Sequence, residues 1–130
     1  MRRTIQTHAA PAAVGPYSQA IEVDGWIFCS GQIGLDAITG KLVEGGIETE
    51  TRRVMENLRE VLDAAGAGLR DVVKTTIFLI DLKDFETVNR IYSEHFEQPY
   101  PARSTVQVAA LPRAARVEIE AIARRSNGVL

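Results

Sequence analysis

Cysteine is almost missing from this chain of 130 residues, and Cys29 stands alone. One thiol excludes an internal disulfide framework and any multi-cysteine metal site. Set beside Trp26, Ile27 and Phe28, it reads as a reduced thiol used as a small apolar residue. Histidine is scarce too: His8 and His95 have no ligand-like spacing, so no metal is expected, and His95 falls on the polar side of a helical segment. Aromatic residues make up 6% and the formal net charge is −2. Neither value suits base stacking or a general pull toward nucleic acid. Arg113, Arg116, Arg124 and Arg125 lie close in sequence and read as solvated charges near strand ends. No apolar run approaches the roughly 18 residues of a membrane span. Arg2 and Arg3 are followed by no apolar segment of the secretory type, so a soluble cytoplasmic protein is expected. Walker A and Gly-x-Gly-x-x-Gly fingerprints are absent as well.

What is present is an ordinary globular composition, 45% hydrophobic and 25% charged, at a length that fits one domain over 1–130. Residues 3–7 suit a first short strand, and Ala9 to Pro16 a loop. Ser18 to Val23 and Trp26 to Ser30 form a hairpin signature, with Asp24-Gly25 as its two-residue turn. Gly31 to Gly46 is glycine-rich and reads as loop. From Ile47 the period becomes helical through Val54, Leu58, Val61 and Leu62, with Glu48 and Glu50 suiting the helix dipole and Gly66 the stop. Val72 to Ile80 is a β-branched run ending apolar on both faces. Asp84 can cap a second helix striped by Phe85, Val88, Ile91, Tyr92 and Phe96. Arg103 to Val108 and Arg116 to Arg125 complete the strands. The order is βββαβαββ, an α+β fold with two helices on one face of a sheet. Nothing remains in the chain to cover the other face, and self-association is the simplest cover.

One charged pair can carry chemistry. Arg103 opens one strand and Glu118 lies in the next. A guanidinium grips a carboxylate through two parallel hydrogen bonds, and a glutamate can orient or deprotonate water. Fifteen positions separate them, room for two neighbouring strands and the Leu111-Pro112 connection. A cross-strand salt bridge fits that spacing as well as a hydrolytic site does.

Six segments, in order along the chain, bear on that choice: Gly15-Pro16-Tyr17-Ser18-Gln19-Ala20, Ser30-Gly31-Gln32, Val73-Lys74-Thr75-Thr76, Asp84-Phe85 with Val88-Asn89 and Tyr92, Pro101-Ala102-Arg103-Ser104, and Val117-Glu118-Ile119-Glu120-Ala121. Together they resemble the RidA (YjgF) family of reactive intermediate deaminases, from about residue 15 to residue 124. The resemblance implies a chorismate-mutase-like fold assembled as a homotrimer, with sites at subunit interfaces. It implies hydrolysis of 2-imino acids, or their enamine tautomers, to 2-keto acids and ammonia, with neither metal nor cofactor. Such substrates are released by pyridoxal-phosphate dehydratases. Arg103 then matches the family's carboxylate-binding arginine and Glu118 the glutamate that positions water. Tyr17 and Asn89 match site-lining residues, and Gly31 a close backbone approach. Thr105 stands where cysteine is common; the implied role there is a backbone donor to the substrate carboxylate. Two other functions remain open: a ribonuclease or translation inhibitor, as some relatives are described, and a non-catalytic binder of small carboxylates.

Overall fold

In the computed structural model, which describes residues 1–125, six strands form one sheet and two helices lie on one of its faces. Residues 126–130, part of the single domain expected from the sequence, lie outside the described residues. The elements are β1 (Arg2–Ile5), β2 (Ala20–Val23), β3 (Trp26–Gln32), α1 (Ile47–Ala64), β4 (Val72–Leu79), α2 (Phe85–Ser93), β5 (Ala102–Gln107) and β6 (Val117–Arg124). This is the expected βββαβαββ order. Across the sheet the strands run β1-β2-β3-β6-β4-β5, antiparallel except for the β4–β5 pair.

Local chemistry accounts for the boundaries. Asp24 (φ 52°) and Gly25 (φ 85°) are both left-handed, the requirement of the two-residue turn whose twist matches its flanking strands. The turn is tied to β6, since Arg124 donates to the Asp24 carbonyl at 2.6 Å and stacks over Trp26 at 5.4 Å. Helix α1 ends in a Schellman motif. Gly66, at φ 76°, donates to the Asp63 carbonyl, and Ala67 donates to the Leu62 carbonyl, both at 2.9 Å.

Helix α2 starts differently from expectation. Asp84 is itself helical and its side chain caps nothing; Asp81 accepts from the Lys83 amide at 2.9 Å instead, capping a short turn before the helix. Helix α2 closes at Ser93, so His95 lies beyond it, its Nδ1 2.8 Å from the Ile91 carbonyl.

The core lies between the helices and the sheet. Ile27, Met55, Leu58, Leu62, Ile77, Leu79 and Ile119 are among its fully buried side chains, each contributing about 1.5–3 kcal/mol by leaving water. Cys29 belongs to the same core. Burial pushes its thiol up to about 12, so it stays protonated and unreactive. Two of the arginines read as solvated are tethered. Arg116 pairs with Glu50 at 2.6 Å and Arg125 with the buried Glu22. On the opposite sheet face Trp26, Phe28 and Val106 are exposed, and neither helix covers them.

The turn gives a test by contrast between its two residues. Gly25→Ala is expected to cost about 1–2 kcal/mol, because a Cβ is disfavoured at positive φ and would sit 1.9 Å from the Arg124 guanidinium. Asp24→Gly, at a neighbouring position of the same handedness, is expected to stay within about 0.5 kcal/mol of the parent, relieved strain offsetting the added backbone entropy. Urea unfolding of both variants measures the contrast, and equal effects would refute the turn assignment.

Candidate functional site

Arg103 is the second residue of β5, an edge strand. Its register partner is Thr75, which faces the helices and shares a 2.7 Å hydrogen bond with the Tyr92 hydroxyl. Arg103 therefore projects to the helix-covered side. There its Nη1 donates to Asn89 Oδ1 at 2.8 Å, and the guanidinium lies 5.0 Å from the Tyr92 ring centre and 5.6 Å from that of Phe85. These contacts hold the fork flat at the mouth of a cleft of about 460 Å³ that also includes Tyr100 and Pro101. Thr105 follows on the same side, paired with Ile77, and its buried Oγ1 has no partner. Asn89, Arg103 and Thr105 thus form one cluster.

Tyr17, Gly31 and Glu118 form a second. They line a cleft of about 550 Å³ with Pro11, Val14, Leu35 and Arg113. Gly31 sits where the β3–β6 register shifts, between Cys29 and Gln32. A Cβ on it would lie 2.0 Å from Glu118 Oε2, so glycine is what leaves room for the carboxylate. Burial foremost, then the neighbouring Glu120 carboxylate, pushes the Glu118 carboxyl above its ordinary value.

Glu118 and Arg103 do not meet in one chain. The expected neighbouring strands are separated by β4, with Thr75 opposite Arg103 and Phe78 opposite Glu118. Three residues apart on one strand, Thr75 and Phe78 face opposite ways. The cross-strand salt bridge allowed by the sequence is excluded, since the two side chains lie on opposite faces of the sheet.

Three buried residues without an expected site role brace the walls of the Glu118 cleft. The Gln19 side chain accepts from the Thr7 amide at 2.7 Å and donates to the Pro11 carbonyl at 2.7 Å, tying down the N-terminal loop. Asn57 donates to the carbonyls of Ile33 (3.2 Å) and Leu35 (3.0 Å). Glu50, in the first turn of α1 as the dipole favours and fully buried, accepts from the Arg116 amide at 2.8 Å just before β6. A signal was available: Glu50 and Asn57 fall at helical spacing from Val54 and Val61, inside the apolar stripe. Among the described residues no group of three His, Cys, Asp or Glu side chains could hold a metal ion, and no helix is long and apolar enough to cross a membrane.

Comparison with known proteins adds to this geometry. The family model described as endoribonuclease L-PSP matches residues 7–125. A mouse protein named 2-iminobutanoate/2-iminopropanoate deaminase is 55% identical over 95% of this chain and 91% of its own length. The crystal structure of RidA from an Antarctic Psychrobacter superposes with a TM-score of 0.91 at 48% identity, covering 94% of this chain and 98% of that one. That of E. coli TdcF with bound serine superposes at 0.89 and 41% identity, covering 95% and 99%.

The electrostatics of Glu118 can be read as stability. Its folded pKa lies above its unfolded one, so the stability it contributes is fully present below the unfolded value and is lost as pH rises through the folded value. Glu118→Gln, which cannot ionise, is therefore expected to be more stable than the parent at about pH 8, with the gap closing by about pH 3.5. Urea unfolding at fixed protein concentration across that range is the measurement. A gap that widens toward acid would contradict the raised pKa.

Proposed function

The chain belongs to the endoribonuclease L-PSP family, the one its motifs resemble under the name RidA (YjgF), and from that premise we propose that it is a 2-iminobutanoate/2-iminopropanoate deaminase. It hydrolyses 2-imino acids and their enamine tautomers to 2-keto acids and ammonia. The observation that carries this reading is the 55% identity to the mouse deaminase over 95% of the chain.

In the proposed mechanism Arg103 grips the substrate carboxylate in a two-pronged hydrogen bond, helped by the Thr105 backbone N–H. Support comes from the orientation of the guanidinium, held by Asn89 and Tyr92. Glu118 takes a proton from a water beside Gly31, and the oxygen attacks the imine carbon. Glu118 passes that proton to the nitrogen to give the carbinolamine, then relays the carbinolamine's hydroxyl proton to the amine, and ammonia leaves as the carbonyl forms. A carboxylate with a raised pKa is a fitting base for this step, and such help typically contributes about 10²–10⁴-fold. Tyr17 lines the cleft. The mechanism calls on no metal and no cofactor.

The two clusters act together as a homotrimer, in which the Arg103 cluster of one subunit closes on the Glu118 cleft of the next. The uncovered apolar sheet face favours such an assembly. The setting is the cytoplasm, with a small imino acid as the partner rather than RNA. A net charge of −2 and few aromatics disfavour the ribonuclease reading suggested by the family's description.

The test is release of 2-keto acid from the products of a threonine dehydratase. Wild type is expected to accelerate it, and Arg103→Ala and Glu118→Ala each to abolish the acceleration. A pure carboxylate binder would accelerate nothing. When the two inactive variants are unfolded, mixed equally and refolded together, about one site in four should pair an intact arginine with an intact glutamate. Recovery of roughly that fraction of activity is expected, and no recovery would refute a site shared between subunits.

A further inference from the structure

One charged residue of the Glu118 cleft has no part in the hydrolytic scheme. Arg113 lies in the turn between β5 and β6, where it and Ala114 both adopt left-handed backbone, with φ of 60° and 58°. Side chains rarely sit there, and two in succession set the direction in which Arg113 leaves the chain. Its Nη1 donates at 2.9 Å to the carbonyl of Gly40, 73 positions away in sequence. The receiving loop is itself well organised. Asp36 Oδ1 accepts from the Ile38 and Thr39 amides at 2.8 and 2.9 Å, and the Asp36 carbonyl accepts from Gly40. Arg113 thus bridges two turns at the rim of the cleft.

A guanidinium has five N–H donors, and the Gly40 carbonyl engages one nitrogen. Among the described residues Arg113 takes part in no ion pair, whereas Arg116, Arg125, Arg52 and Arg90 each do. Apolar residues such as Pro11, Val14 and Leu35 share the rest of the lining with the polar Tyr17, Ser30 and Gln32, and Glu118 is its one carboxyl. The cleft measures about 550 Å³ in one chain, before the Arg103 cluster of the next subunit closes on it in the proposed assembly.

Resting on the deaminase reading, we propose that Arg113 determines specificity by binding a second carboxylate, at the end of the substrate side chain. The enzyme then accepts dicarboxylic 2-imino acids such as 2-iminosuccinate besides those with apolar side chains. The α-carboxylate is held by Arg103 from the other cluster, which leaves Arg113 for the far end. Attraction to Arg113 also offsets the repulsion such a side chain meets from Glu118.

The test compares two imines generated in situ, 2-iminobutanoate and 2-iminosuccinate, the latter from an aspartate oxidase. Keto-acid release is measured above the spontaneous rate for wild type, Arg113→Asn and Arg113→Lys. Asparagine tolerates left-handed backbone while removing the cation. Wild type should accelerate both hydrolyses. In Arg113→Asn the ratio of kcat/KM for 2-iminosuccinate to that for 2-iminobutanoate should fall at least about tenfold, and Arg113→Lys should keep most of it. Wild type active on 2-iminobutanoate alone would overturn this inference and leave the deaminase reading standing. An unchanged ratio in Arg113→Asn, with both rates falling together, would overturn it too. Inactivity on both imines would instead bring down the deaminase reading, and this inference with it.

Discussion

Side-chain alternation along β4 governs the chemistry available to this molecule. Thr75 faces the helices and brings Arg103 with it; Phe78 faces away, beside Glu118. A strand has a period of two, so no adjustment of rotamers or loops brings the arginine round to the glutamate. A slip of one residue in register would move the β4 core residues Ile77 and Leu79 out of the interior, which the packing forbids. One chain therefore carries two separate clusters, one on each face of the sheet. In the proposed assembly a second copy is what would join them, and the exposed Trp26, Phe28 and Val106 lie on the face it would cover.

Rigidity of the Glu118 cleft comes from behind it. Gln19, Glu50 and Asn57 are buried, and each directs its side chain at the backbone of a different wall: the N-terminal loop, the approach to β6, and the segment after β3. Backbone groups in irregular loops need partners when they are removed from water, and an unmet one costs about 1–3 kcal/mol. Gln19, just before β2, and Glu50 and Asn57 of α1 supply those partners. The Arg103 cluster is held differently, by one amide and two aromatic rings at a sheet edge.

Much of this was legible in the sequence where the signal is local. The Asp24-Gly25 hairpin, the Gly66 stop of α1 and the two-helix α+β order depend on neighbours in the chain, and they emerge as read. Strand order does not depend on neighbours. The spacing of Arg103 and Glu118 suggested adjacent strands, and only the insertion of β4 between them separates a salt bridge from two half-sites. Asp84 failed as a cap for a related reason: a preceding helical turn displaced the cap to Asp81. Glu50 and Asn57 carried a signal, being polar residues on an apolar stripe, but their partners lie 66 and 24 or fewer positions away. Periodicity marks such residues as buried and cannot say what they hold.

The departures from good packing are concentrated around the two clefts. Glu118 is partly desolvated beside another carboxylate. Arg113 and Ala114 sit in left-handed backbone, at about 1–2 kcal/mol each. Among the described residues the buried side-chain atoms without a partner are Asn57 Oδ1, behind the Glu118 cleft, and Thr105 Oγ1, beside Arg103. Folding alone would remove each of these, and a protein of marginal stability can carry them only where the rest of the fold is well satisfied. Here the satisfied part is the core between α1, β3, β4 and β6. Cys29 illustrates the contrast: burial raises both its thiol and the Glu118 carboxyl, but the thiol is sealed in that core and inert, while the carboxyl stays open to a cleft. Burial can tune a base only where solvent or a ligand can reach it, and Glu118 meets that condition while Cys29 does not.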